Sequence, residues 1–221
     1  MQAIIFDLDG TIYQTEKVAV PAFRATFEWL KDQGLYQGKI PADQVFEQQF
    51  GLTGAEFWSR LLPDANEEVR QLADQQLLKE EIKWINQGAG ACYPGVVETL
   101  NKLKDQGYQL LIASNGLEAY VEHVLHSEEI LSLFTGIYTA SRYQTTSKTE
   151  LVKRCLDDHH IQSGMMVGDR RSDIVAGKEN YLLSIGCRYT GFRSFSALDE
   201  LEQADHLIYE FPELLHVLER N

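Results

Sequence analysis

The chain has few cysteines, no long apolar run and no basic leader. Its cysteines, Cys92, Cys155 and Cys187, lie far apart and form no CxxC pair, so we expect free thiols rather than disulfides or a zinc site. No apolar stretch approaches the roughly 20 residues that span a bilayer. Asp7 interrupts the first apolar run, which argues against a signal peptide. We therefore expect a cytoplasmic protein without a membrane partner.

Basic residues are also fewer than acidic ones. The 221 residues include 20 Lys and Arg against 33 Asp and Glu, which gives a formal net charge of −13. Nucleic acids and anionic lipids repel such a surface, so we expect neither as a partner. An anionic substrate would have to be recruited by a local cation. With 44% hydrophobic and 24% charged residues, the composition is typical of a globular protein.

The most informative stretch is AIIFDLDGT, residues 3–11. Its apolar half predicts a strand buried on both faces. Because residues i and i+2 of a strand point the same way, Asp7 and Asp9 should emerge together where the strand ends, and Gly10 permits a sharp turn. Adjacent carboxylates repel each other unless a cation or a proton lies between them. A plain polar turn is one alternative. A calcium loop is another, but its later acidic ligands are missing.

Two kinds of segment follow this strand. Apolar spacing predicts only helices before residue 90, over 18–34, 41–50, 54–61 and 64–84, with Asp64 as the N-cap of the last. Strands and helices then alternate. The predicted strands cover 108–113, 137–140, 164–168, 182–187 and 206–209, and the helices cover 94–106, 118–126, 128–134, 148–156, 172–180 and 211–218. This alternation predicts an α/β fold, a Rossmann-like doubly wound parallel sheet, with an inserted all-helical domain.

The domain boundaries follow from flexible segments. The small residues 87–91 (QGAGA) predict a hinge, and its partner should lie near residues 13–15. We therefore expect a core of residues 1–13 plus 92–221 and a helical domain of residues 14–91. Between residues 14 and 92 there are 8 Lys and Arg against 12 Asp and Glu, with no basic cluster. We expect Lys17 and Arg24 on a solvated helix face, and the aromatic residues in the core.

Polar groups follow several of the predicted strands. Ligands bind beyond the carboxyl ends of the strands in an open parallel sheet. The groups expected at that edge are Asp7, Asp9, Ser114, Asn115, Lys148, Asp169 and Asp173. Taken singly, each could be a turn residue, a first-turn acid or a solvated lysine. Their joint occurrence in this order predicts one site of four carboxylates, a hydroxyl, an amide and an ammonium.

The sequence resembles the haloacid dehalogenase (HAD) superfamily, and within it the phosphatases with an α-helical cap. Asp7–Thr11 matches the first motif, Ala113–Asn115 the second, Lys148 the third and Gly168–Ile174 the fourth. Tyr93-Pro94-Gly95 and the Gly-Asp-Arg form of the fourth motif are most similar to phosphoglycolate phosphatases. Gln14-Thr15 departs from the Asp-Ser that often follows the first motif in that group, which leaves the substrate open.

The resemblance implies a Mg²⁺-dependent phosphomonoesterase that acts on a small molecule. Asp7 would be the nucleophile that forms an aspartyl-phosphate, and Asp9 would act as general acid and then as general base. The Asp7 carboxylate, the Asp9 backbone carbonyl and Asp169 would hold Mg²⁺. Asp173 would hold metal-bound water or orient Lys148. We expect a monomer or a homodimer.

The resemblance also implies a set of phosphate-binding groups. These are Gly10, Thr11, Ser114, Asn115 and Lys148, with nearby backbone amides. Lys148 would neutralise charge on the nucleophile and the phosphate. We expect the Thr11 side chain to bond back to the motif backbone. The cap would close over the site on its two hinges.

Other activities remain open. Family members that cleave carbon–halogen bonds lack the second acid, so Asp9 favours phosphoryl transfer. A β-phosphoglucomutase-like phosphotransferase is an alternative, although such mutases typically have Glu-Asp where this chain has Gly168-Asp169. A phosphorylatable signalling module is a more remote alternative. Phosphoglycolate-like compounds and nucleoside monophosphates are the candidate substrates.

Overall fold

A parallel sheet forms the centre of the molecule. The computed structural model describes residues 2–192 and 199–220, so Met1, residues 193–198 and Asn221 of the predicted core lie outside the described residues. Within the described residues the strand order is β3-β2-β1-β4-β5-β6, and every pairing is parallel. The strands are β1 Ala3–Phe6, β2 Gln109–Ser114, β3 Gly136–Thr139, β4 Gly164–Gly168, β5 Leu183–Cys187 and β6 His206–Ile208. The predicted α/β fold is confirmed.

Helices occupy most of the predicted positions, with shifted ends. They are α1 Glu16–Asp32, α2 Asp43–Glu47, α3 Gly54–Leu61, α4 Glu67–Asn86, α5 Val96–Asp105, α6 Glu118–Ser127, α7 Ala140–Tyr143, α8 Lys148–Asp158, α9 Arg171–Glu179 and α10 Glu213–Leu218. The short α7 was not predicted. The helix predicted over 128–134 is only a 3₁₀ turn, Leu131–Leu133. None of the described helices combines the length and the apolar character needed to cross a bilayer.

Strand β1 is buried on both faces at the centre of the sheet. Ile4 and Phe6 pack into one apolar layer, and Ala3 and Ile5 pack into the other. Because β1 lies between β2 and β4, Phe6 has a neighbour on each side in register. The residues that follow β1, β2 and β4 therefore meet at one edge of the sheet.

The helices α1 to α4 form a separate unit with its own apolar core. α1 packs against α4, and the buried core includes Phe23, Phe27, Phe46, Phe57 and Trp58. The rings of Phe23 and Phe57 stack with centroids 4.4 Å apart. The aromatic residues thus pack in a core, as predicted. Lys17 is exposed, and Arg24 is paired with Asp43 on the surface, also as predicted.

The two chain segments that join this unit to the sheet run side by side. Tyr13 and Cys92 form an antiparallel bridge, and the Gln14 N–H donates to the Ala91 carbonyl at 3.0 Å. A side chain at Gly90 would place its Cβ 1.8 Å from the Tyr13 hydroxyl, so only glycine allows this approach. The chain therefore enters and leaves the helical unit through one narrow pair of connections, and Val18 of α1 and Ile85 of α4 also pack into the same apolar layer as Ile4 and Phe6.

The N-terminus of α4 differs from the sequence prediction. The side chain of Asn66, rather than that of Asp64, accepts a hydrogen bond from the Val69 N–H at 2.9 Å. The helix therefore begins at Glu67, three residues after the expected N-cap. Both residue types are good N-caps, so local sequence does not decide between them.

We predict that Asn66→Ala lowers the free energy of unfolding by about 1 kcal/mol, because it leaves one backbone donor of α4 without its partner. Urea unfolding followed by circular dichroism measures this difference. Asp64→Ala is the matched control and should change the free energy by less than about 0.5 kcal/mol. A larger loss in the Asp64 variant would mean that α4 begins earlier than described.

Candidate active site

The functional side chains lie at the carboxyl edge of the three central strands. Asp7 directly follows β1, and its N–H donates to the Val167 carbonyl of β4 at 2.9 Å. Ser114 is the last residue of β2, and Asp169 directly follows β4. The structure therefore brings together groups that are more than 100 residues apart in the chain.

Lys148, the first residue of α8, is the buried cation at this edge. Its Nζ donates to Asp7 Oδ1 at 2.7 Å and lies 3.2 Å from Asp173 Oδ1. Burial alone would lower the pKa of Lys148, but the carboxylates of Asp173 and Asp7 outweigh burial and raise it. Lys148 is therefore a fixed positive charge between two aspartates.

The turn after β1 requires glycine. Gly10 has a φ of +77°, and a Cβ there would lie 2.5 Å from Asp169 Oδ2. The Thr11 hydroxyl donates to Asp169 Oδ1 at 3.4 Å rather than to the motif backbone, which corrects our expectation. Tyr189 donates to the Thr11 carbonyl at 2.7 Å. This turn therefore holds the Asp169 carboxylate against the first motif.

Asp9 is held by two hydroxyl groups. Its Oδ1 accepts hydrogen bonds from Thr15 Oγ1 at 2.5 Å and from the Tyr120 hydroxyl at 2.8 Å. Burial raises the pKa of Asp9, and these two bonds oppose the rise. Burial and the neighbouring Asp9 carboxylate raise the pKa of Tyr120 well above its usual value, so Tyr120 keeps the proton that it donates. Both donors bond the same atom, Oδ1, and so fix the orientation of the Asp9 carboxyl group while its Oδ2 remains available.

The remaining carboxylates crowd one another. Burial and the negative charges of Asp7 and Asp173 raise the pKa of Asp169 well above its usual value. Burial raises the pKa of Asp173 to about 6, with Lys148 opposing the rise and Asp7 adding to it. Burial likewise raises the pKa of Asp7. One ammonium does not compensate three buried carboxylates.

These carboxylates fit a divalent cation. Oxygen atoms of Asp7, Asp169 and Asp173 all lie within 4.8 Å of one another. Mg²⁺ prefers a few carboxylate oxygens, and a cation between them would relieve their repulsion. Asp173 is the most constrained of the three, because its Oδ2 accepts from the Arg170 N–H at 3.0 Å. The donor set therefore suits magnesium.

The second motif faces the helical unit. Ser114 is buried, and its Oγ accepts from the Gly116 N–H at 3.0 Å. Asn115 Nδ2 donates across to the Gly51 carbonyl at 2.8 Å. Arg170 Nη1 donates to the Phe50 carbonyl at 2.7 Å. Two side chains of the core thus hold one loop of the helical unit over the site.

A cavity of about 120 Å³ lies beneath this loop. Asp7, Asp9 and Lys148 line its floor, and side chains of α1, α3 and α4 line its roof. The cavity joins the carboxyl edge of the sheet to the helical unit. A small molecule bound at the aspartates would therefore also contact α4.

Several residues of this site were not singled out from the sequence. Thr15, Tyr120, Arg170 and Glu81 were missed as participants, and the first three contact the predicted residues directly. Tyr120 lies on α6 with ordinary core neighbours, so nothing local marks it. Glu81 did carry a signal: it interrupts the buried spacing of Ala73, Leu77 and Ile85 on α4.

The comparison with protein families agrees with this geometry. The haloacid dehalogenase-like hydrolase model matches residues 4–187, most of the chain. The chain belongs to this family. The resemblance inferred from the four motifs is confirmed, and the chain is similar to phosphatases of this family.

The proteins that this chain resembles in sequence include named phosphatases. The chain is 26% identical to a glyceraldehyde 3-phosphate phosphatase of Pyrococcus furiosus, over 100% of this chain and 94% of that protein. It is 27% identical to a phosphoglycolate phosphatase of Vibrio vulnificus, over 86% and 84%. The structure of CbbY from Rhodobacter sphaeroides in complex with phosphate superposes with a TM-score of 0.83 at 21% identity, over 97% and 96% of the two chains. The chain is an HAD-like phosphatase, an enzyme that hydrolyses phosphate esters.

We predict that Asp169→Asn raises the free energy of unfolding in the presence of a chelator, by on the order of 1 kcal/mol, because it removes one of three crowded negative charges. The asparagine Oδ1 can still accept from Thr11. Urea unfolding in EDTA measures the change. Asp157→Asn, at an exposed position of α8, is the control and should have no effect. Destabilisation by the Asp169 change would show that the carboxylates are compensated without a cation.

Proposed function

We propose that the protein is a Mg²⁺-dependent phosphomonoesterase that hydrolyses a small phosphorylated metabolite through an aspartyl-phosphate. The observation that carries the proposal is the pair of aspartates at the end of β1. Asp7 is bonded to Lys148 at 2.7 Å, and Asp9 is held beside it by Thr15 and Tyr120. Lys148 favours the ionised form of Asp7 against the effect of burial, and burial raises the pKa of Asp9, which suits Asp9 to carry a proton. The names of the relatives support an ester of a small phosphorylated metabolite.

In the first step Asp7 attacks phosphorus, and the bond between phosphorus and the leaving oxygen breaks. Asp9 gives its proton to that oxygen, so the product leaves as a neutral alcohol. In the second step water attacks the phosphorus of the aspartyl-phosphate while Asp9 takes a proton from the water. The bond between phosphorus and the Asp7 oxygen breaks, which releases inorganic phosphate and restores the Asp7 carboxylate. The raised pKa of Asp9, caused by burial, suits it to exchange a proton in both directions.

Other groups would bind the transferring phosphoryl group. Lys148 carries a fixed positive charge next to the nucleophile and would offset charge on the phosphate oxygens. Ser114, Asn115 and the backbone amides after β1 and β2 would donate hydrogen bonds. Thr11 is fully buried with its hydroxyl on Asp169, so its part would be to position that carboxylate.

Asp7, Asp169 and the Asp9 backbone carbonyl would hold Mg²⁺. The crowding of buried carboxylates supports this assignment. The bound ion would supply positive charge that orients the phosphate and offsets the repulsion between it and the aspartates. Asp173 is tied to Lys148 and the Arg170 N–H, so it would position the lysine.

The helical unit would serve as a cap. Residues 14–91 have a separate core, join the sheet through two paired segments, and cover the cavity through the bonds from Arg170 and Asn115 to the loop at residues 50–51. A cap of this kind excludes water from the reaction and adds contacts to the leaving group.

We predict that Asp7→Asn lowers kcat by at least roughly 10³-fold, because an amide is not a nucleophile toward phosphorus. Phosphate release from a panel of phosphomonoesters, with Mg²⁺ and with EDTA, measures this. The release by the unchanged protein should require Mg²⁺. Circular dichroism and urea unfolding control for folding of the variant. A folded and active variant would contradict the mechanism, and faster transfer to a sugar acceptor than to water would contradict hydrolysis.

We predict that Tyr120→Phe lowers kcat about tenfold with little change in KM, because one of the two bonds that orient Asp9 is lost. Steady-state kinetics on any accepted ester separates the two constants. Tyr138→Phe is the matched control, since Tyr138 is also buried and donates to an aspartate, Asp158, away from the site. Equal losses in the two variants would mean that Tyr120 acts only through packing.

A further inference from the structure

The roof of the cavity carries carboxyl groups where a substrate's leaving group would lie. Asp74 and Glu81 of α4 both line the cavity. They are seven residues apart, so they lie on one face of the helix, about 10 Å apart along its axis. Asp74 accepts a hydrogen bond from Trp58 Nε1 at 2.8 Å. Asp74 is thus held by a hydrogen bond from within the helical unit.

Glu81 is different, because its carboxyl group has no hydrogen-bond or ion-pair partner among residues 2–192 and 199–220. Its exposed fraction is only 8%. A buried carboxyl group without a partner is costly. It occupies a position of α4 between Leu77 and Ile85, where an apolar residue would continue the buried face. A ligand group that donates a hydrogen bond would supply the missing partner.

Glu81 is also close to the reaction centre. Burial raises the pKa of Glu81 well above its usual value, and the nearby charges of Asp9 and Asp74 raise it further. Asp9 is the residue that would protonate the leaving oxygen. Asp9 and Glu81 line the same cavity, so a leaving group bound there would extend from Asp9 toward the wall that carries Glu81.

The cations that line the cavity are already engaged elsewhere. Of the described lining residues, Lys148 and Arg170 are the basic ones. Lys148 is paired with Asp7 and Asp173, and Arg170 Nε is paired with Glu200 at 3.1 Å. Neither lies on the helical unit. A carboxylate or a second phosphate on the leaving group would therefore meet the two acids of α4 without a compensating charge.

The roof also carries aromatic side chains, next to aliphatic ones such as Leu52 and Leu77. Phe23, Phe50 and Phe57 line the cavity, and the Phe23 ring stacks on the other two with centroids 6.4 Å and 4.4 Å away. Aromatic faces attract an ammonium group, and the attraction increases when water is excluded. Carboxyl groups and aromatic rings together form the chemistry that recognises an organic cation.

We propose that the cavity selects phosphate esters of small amino alcohols, with the ammonium group of the leaving alcohol bound by Glu81 and the aromatic roof. This inference rests on the proposed phosphomonoesterase function. It assigns Glu81 as a specificity-determining residue and Asp74 as a second negative charge in its support.

Four esters of matched size test the proposal. They are 2-aminoethyl phosphate, 2-hydroxyethyl phosphate, n-propyl phosphate and phosphoglycolate, which differ in the group at the far end. With the full chain and Mg²⁺, we expect kcat/KM for the aminoethyl ester to exceed that for the propyl ester at least tenfold, with phosphoglycolate the poorest. A best rate with the hydroxyethyl ester, the propyl ester or phosphoglycolate would overturn the proposal.

Variants identify the residue responsible. Glu81→Gln should lower the ratio of kcat/KM for aminoethyl over propyl phosphate at least tenfold. Glu80→Gln is the matched control: it removes the same charge one position away, where the side chain bonds Lys83, and it should leave the ratio unchanged. An unchanged ratio in the Glu81 variant would overturn the assignment. If that variant does not fold, the ranking by the unchanged protein decides the proposal alone.

An aryl ester that needs no specific contact with the roof tests the phosphatase activity apart from the substrate preference. Hydrolysis of p-nitrophenyl phosphate without a preference for the aminoethyl ester would overturn the substrate class and leave the phosphatase mechanism standing. No magnesium-dependent hydrolysis of the aryl ester or of any of the four esters would overturn both.

Discussion

The structure depends on one electrostatic constraint: several carboxyl groups are buried around a single ammonium. Lys148 lies within 3.2 Å of two aspartates, while Asp169 is buried beside them and forms no salt bridge with any residue that the structure describes. An excess of buried negative charge opposes folding, and cores normally avoid it. Such a cluster suits a positive ion, which would offset the repulsion between the carboxylates.

The parallel sheet makes this concentration of charge possible. β1 is buried on both faces and flanked on both edges, so sheet pairing and apolar packing fix the position of the backbone at Phe6. The close approach of the aspartates to the backbone then requires glycine, which has no side chain, at two positions. A Cβ at Gly168 would lie 2.3 Å from atoms of Asp173, and one at Gly10 would lie 2.5 Å from Asp169. The two glycines allow the acids to converge, and the apolar layers beneath offset the cost.

Local patterns predicted the sheet and the residues at its edge, because both depend on short-range sequence. An apolar run that ends in Asp7 places a carboxylate at a strand end whatever the rest of the chain does. The orientation of Asp9 was beyond such reasoning, since Tyr120 approaches from 111 residues away. The prediction of the α4 N-cap was wrong for another reason: Asp64 and Asn66 are equally competent N-cap residues, so the local sequence does not decide between them.

Specificity for the leaving group would depend on the helical unit rather than on the sheet, because side chains of the helical unit line the roof of the cavity. The central edge carries the Lys148 ammonium and a group of carboxylates that suits a cation, and these groups would serve any phosphate ester alike. Two relatives of similar identity are named for glyceraldehyde 3-phosphate and for phosphoglycolate, whose leaving groups differ in charge. In this chain the wall that faces the leaving group carries Asp74 and Glu81 and no basic side chain among its described residues. With the Lys148 ammonium at the sheet edge and carboxyl groups on the opposite wall, the cavity would suit a substrate that is negative at one end and positive at the other.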